Sequence, residues 1–148
     1  MNHLGHGFAL VLSSALIGCS TPNPTGQKLE NCWSPDTKQT TSSLVTNIAN
    51  EYIDDLVKKE MGASFNDASK KRIAEHSKVN LSDFYVSSRN AEADHLTCGA
   101  SIHFAFTKDD GQVISGETST EFDIFKGENG FIYSIQKAPI MQMINSAT

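Results

Sequence analysis

Five histidines, three cysteines and two adjacent aspartate pairs carry most of the chemical scope of this 148-residue chain. Imidazoles and thiolates ligate metals, and carboxylates that share a site move protons. Spacing limits each of them. His95 and His103 fall on one face of an extended stretch, but eight residues at roughly 3.3 Å each put them about 26 Å apart, too far for one metal ion. Both read as solvent-exposed side chains, and His76 stands alone. Asp54 and Asp55 are neighbours in a helical pattern and point about 100° apart, so they do not share a proton. Asp109 and Asp110 precede Gly111 in a turn sequence, where aspartate is favoured by its local hydrogen bonds. No Gly-x-Ser-x-Gly elbow, His-Glu-x-x-His helix or phosphate loop occurs, and Gly111, Gly116, Gly127 and Gly130 are spaced like hairpin turns. No catalytic residue, cofactor-binding residue or metal ligand is assigned, and neither enzyme activity nor a cofactor is expected.

The cysteines are more informative once their surroundings are considered. Phe8 to Gly18 contains only apolar and small residues. That length suits the core of a secretory signal, roughly 7 to 15 residues, and falls short of the roughly 20 that span a bilayer. The run ends in Leu16-Ile17-Gly18-Cys19 and turns at once into the polar, proline-bearing stretch Ser20 to Gln27. Those four residues resemble the lipobox of bacterial lipoproteins. The resemblance implies that the Cys19 thiol is diacylated and that a dedicated signal peptidase cuts between Gly18 and Cys19. It also implies an outer-membrane location facing the periplasm, because Ser20 stands where an aspartate marks inner-membrane retention. The bare residues also fit an ordinary cleaved signal. Each buried CH₂ of an acyl chain contributes about 0.8 kcal/mol, so two or three chains hold a protein on a bilayer. Residues 1–18 are then a discarded signal that takes His3 and His6 with it, 19–31 a lipidated N-terminus and flexible tether, and 32–148 a single domain.

Assigning Cys19 to lipid leaves Cys32 and Cys98 as an even pair in an oxidising compartment, and a disulfide between them is expected. Two free buried thiols or a metal site are the alternatives. The metal site lacks support, because neither cysteine has a Cys-x-x-Cys partner or a nearby histidine.

The elements that must position these residues follow from periodicity. Ser34 as a cap, Pro35 at the first helical position, Asp36 at the positive end and Gly62 at the close frame a long helix, broadly 36 to 60. Leu44, Val45, Ile48, Tyr52, Ile53, Leu56 and Val57 form its apolar stripe. Asn66 caps a second, shorter helix to His76 that carries Lys70, Lys71 and Arg72, read as a solvated face or as a contact for anionic headgroups. The period then changes to two. Leu96, Cys98, Ala100, Ile102, Phe104 and Phe106 alternate with polar or small residues, which marks a strand with one buried face. Turns at Asp109-Asp110-Gly111 and Glu128-Asn129-Gly130 separate it from strands over Val113 to Phe125 and Phe131 to Ile135, with a weaker strand around Phe84 to Ser88. The expected class is α+β, two helices packed on a four-stranded antiparallel meander. In element order it is similar to the cystatin-like and nuclear-transport-factor-like architectures, a likeness that implies no functional residue.

A net charge of −5 gives no basic field for a phosphate backbone, so nucleic acid is excluded as a partner. Two functions remain. One is a membrane-anchored, non-enzymatic domain that binds another protein, such as an envelope partner, an inhibited hydrolase, or a toxin or phage component. The other is a small-ligand binder, or less readily an enzyme, with a cavity between helix and sheet lined by Tyr52, Phe104, Phe106 and Phe122. A filled core with an exposed apolar patch favours the first, and an enclosed polar pocket the second.

Overall fold

The computed structural model describes residues 31–147. The expected signal, the lipid-attachment residue Cys19 and the tether up to residue 30 lie outside the described residues. Helix α1 runs Pro35–Met61. Its first turn is held by the Ser34 hydroxyl, which accepts the Thr37 backbone N–H at 3.2 Å. It stops at Gly62, whose φ of 55° lies in the left-handed region and whose N–H donates to the Lys58 carbonyl. A single 3₁₀ turn, Gly62–Ser64, leads to α2, Asp67–His76. There Asn66 and Ser69 form a reciprocal capping box, with the Asn66 side chain accepting from the N–H groups of Ala68 and Ser69.

Strand β1, Ser77–Asn90, follows α2 without a loop. The other strands are β2, His95–Thr107, β3, Val113–Gly127, and β4, Gly130–Ile135, and the sheet order is β1-β2-β3-β4 with every pair antiparallel. This is the α+β class expected from the sequence.

Three features differ in detail. Strand β1 is 14 residues long rather than a short segment around Phe84 to Ser88, because its alternation changes phase. Val79 and Leu81 pair with the core residues Phe104 and Ile102, then the register slips between Ser82 and Tyr85 and again between Val86 and Ser88. Phe84 thereby turns inward to meet Phe122 edge-on, with ring centroids 6.3 Å apart. The bulges hide the strand from a period-two pattern. A third helix, α3, Lys137–Ser146, was not anticipated; it buries Ile140, Met143 and Ile144 on one face. Gly116 belongs to no turn. It lies within β3, where a Cβ would stand 3.0 Å from both the Cγ and the carbonyl oxygen of Met143, so it is the glycine that lets α3 approach the sheet.

The helices cover one face of the sheet and leave the other open. Val45, Ile48 and Ile53 of α1, Ile73 of α2 and the α3 trio pack with Ile102 and Phe104 of β2. At the other end, Cys32 and Cys98 join Leu96, Ala100, Phe122 and Ile124 in a second cluster. The Cys32 and Cys98 sulfurs are at disulfide distance, 2.06 Å, with Cα atoms 5.5 Å apart and a sequence separation of 66. Among the described residues no helix is long and apolar enough to cross a membrane.

Candidate functional site

The open face of the sheet gathers most of the polar chemistry. Along β2 and β3 the register runs without interruption from His95 opposite Phe125 to Thr107 opposite Val113. Since Cys98, Ala100, Phe122 and Ile124 face the core, their odd-numbered neighbours point outward. His95, Thr97 and His103 of β2 therefore share the open face with Glu117, Glu121, Asp123 and Phe125 of β3.

His95 is not a plain solvated side chain. Its ring stacks on Phe125, with centroids 4.4 Å apart and planes 5° from parallel. Its Nε2 lies 2.8 Å from Asp123 Oδ1, and the Thr97 hydroxyl donates to the same oxygen at 2.8 Å. His103 pairs with Glu117, Nδ1 to Oε2 3.6 Å, and its Nε2 lies 3.4 Å from Ser82 Oγ. Both histidines thus meet a carboxylate across the β2–β3 ladder, partners that sequence spacing alone could not supply. In the His95 cluster the Thr97 hydroxyl and the carboxylate meet the same imidazole nitrogen, Nε2, at 3.5 Å and 2.8 Å. An activated nucleophile needs the imidazole in the middle, with the carboxylate on its far nitrogen. Among the described residues no group of three or more His, Cys, Asp or Glu side chains could hold a metal ion.

Beside this polar set lies an apolar patch, Phe125 with Ile132, and Tyr85 stands apart from it, four residues farther along β2. The Tyr85 ring covers Gly99, filling the space that a Cβ would take on the outer face. Ile132 of β4 pairs with Phe125 through β3–β4 register. Ile132, Tyr85 and Phe125 are 59%, 46% and 36% exposed, high values for large apolar and aromatic side chains.

The residues expected to line a cavity separate into different roles. Phe104 and Phe122 are buried core, and the Tyr52 hydroxyl donates to Asn145 Oδ1 at 2.9 Å. Phe104 also reaches a depression beside Lys78, His103 and Glu117, and Phe106 lines a groove of about 600 Å³ together with Val57, Met61, Ile73, Arg72 and Lys108. Of the basic cluster, Lys71 makes a solvated pair with Glu75, while Arg72 reaches across this groove to Asp109 of the β2–β3 loop. Neither the groove nor the patch was visible in the sequence, because each is assembled from residues of different elements.

Compared with protein-family models, with curated proteins and with solved structures, the chain matches none.

Proposed function

We propose that this chain is a lipid-anchored envelope protein that holds another protein against the open face of its sheet. The observation that carries the reading is the exposure of Tyr85 and of the Phe125–Ile132 patch on the one face no helix covers, above a core that Phe104 and Phe122 fill. Glu121 and Asp123 lie between Tyr85 and that patch on the same face, with Glu117 farther along β3, so the partner surface that fits presents basic side chains beside apolar ones. Aromatic anchors inside a charged rim are the usual division of labour in an interface. Anchorage rests on the lipobox resemblance at Cys19, and attachment to the bilayer would confine the search for a partner to the envelope.

Two experiments test the two halves separately. Cys19→Ala should lose its acyl mass and leave the membrane fraction; unchanged mass and unchanged sedimentation would sink the anchor. For the face, the wild type and a Tyr85→Ser, Phe125→Glu, Ile132→Glu triple variant are cross-linked in whole cells, and their adducts are compared. A discrete adduct present with the wild type and lost with the variant is expected. Identical adduct patterns from both chains would rule out the open face as the docking surface.

A further inference from the structure

The groove between the C-terminal half of α1, α2 and the β2–β3 loop is a second site, distinct from the open face. We propose that it binds a single-chain amphiphile with an anionic head group, of the long-chain fatty carboxylate type. Its floor is apolar, built from Val57 and Met61 of α1, Ile73 of α2 and Phe106 of β2. Its volume of about 600 Å³ falls within the range of small-molecule sites. Met61 is 43% exposed, an unbranched and polarizable side chain that adapts to a flexible hydrocarbon.

The sign of the head group follows from the rim. Two cations, Arg72 and Lys108, and one carboxylate, Asp109, line the groove, leaving one uncompensated positive charge beside the apolar floor of a chain whose net charge is −5. Arg72 pairs with Asp109, with both side chains more than half exposed, so an incoming carboxylate competes for the guanidinium in a hydrated setting. Lys108 Nζ donates to Gln112 Oε1 at 2.7 Å and keeps two further N–H donors. The N-terminus of α2 also borders the groove, but Asn66 already accepts from the N–H groups of Ala68 and Ser69. The anion is therefore left to Lys108 and Arg72, and an apolar floor with two cationic donors at one edge matches an acyl chain ending in a carboxylate.

The test is photolabelling of the full-length protein in its own membranes. The probe is a twelve-carbon carboxylic acid with a diazirine at mid-chain, set against a probe with the same chain and a quaternary ammonium head. The expected result is label on the peptides carrying Val57 to Met61 and Phe106, displaced by excess dodecanoate and at least fivefold weaker with the ammonium probe. Met61→Asp and Lys108→Glu change exposed side chains and should each lower labelling by fivefold or more with no change in thermal midpoint, whereas Lys108→Arg should keep it. Equal labelling by the two head groups, label spread over other peptides, or labelling indifferent to both variants would overturn the proposal.

Discussion

Asp54 shows how a single side chain can work against the fold that holds it. Its Oδ1 is buried without a hydrogen-bond partner, although the side chain as a whole is only half-buried. Burial raises its carboxyl above the ordinary 3.8, the nearby Lys70 opposes that, and the charges of Asp55 and Glu51 add to it. A carboxyl whose folded pKa exceeds its unfolded one stabilises the fold while protonated, and that contribution is lost as pH rises through the folded value. Asp54→Asn should therefore resist urea better than the wild type at about pH 7 and equal it at about pH 3. Equal midpoints at both would mean that the ionised carboxylate is fully accommodated. At this scale the sequence was legible wherever a residue acts on its own neighbours. Ser34, Asn66 and Gly62 end their helices by contacts within four positions of themselves. His95 was not legible, because its environment is Asp123 and Phe125, brought beside it only when β3 pairs with β2.

The elements were read correctly where one period holds throughout. Helix α1 from Leu44 to Val57 and the whole of strand β2 keep their apolar spacing and lie where that spacing puts them, while the first turns of α1, framed by Ser34 and Pro35, bury Thr37 and Thr41 instead. Strand β1 changes phase twice, so Val79 and Leu81 appear to contradict Phe84 until the bulges are known. Helix α3 carries a short helical signal, Ile140, Met143 and Ile144, spread over barely more than one turn beside Pro139. Its docking gives a contrast between two glycines. Gly116→Ala forces a methyl against the Met143 carbonyl of α3, a backbone atom that moves only with its helix, and should cost about 1–3 kcal/mol in denaturant unfolding. Gly99→Ala meets only the exposed Tyr85 ring, which can swing into solvent, so its cost should stay within about 0.5 kcal/mol. The same substitution lifts Tyr85 off the sheet, and the cross-linked adduct expected of the open face should weaken. Similar stability losses for both variants would argue against the close docking of α3.

For the molecule as a whole, the Cys32–Cys98 bond joins the chain just ahead of α1 to the fourth residue of β2. The chain-entropy model gives a closed loop of this length about 4 kcal/mol of stabilisation. Cys98→Ala should lower the free energy of unfolding by about 2–5 kcal/mol, and alkylation of the unreduced wild type in denaturant, which exposes both buried positions, should label neither Cys32 nor Cys98. Label on both would contradict the bond. Arrangement at this scale was the least legible in the sequence. Neither the face the helices leave open nor the gap between α1, α2 and the β2–β3 loop follows from any one segment, since both depend on where α3 and the loops settle.

The position of that disulfide has a mechanical consequence. A pull on the chain ahead of Cys32 reaches Cys98 through a covalent link before it reaches the first turn of α1. The load then spreads into a strand hydrogen-bonded on both sides, and β2 itself carries one wall of the open face. If the protein is held by its N-terminus and gripped on that face, tension runs through the sheet and leaves the helical layer unstressed. Reducing the bond would reroute the same tension along α1, which could then peel turn by turn from its Ser34 end.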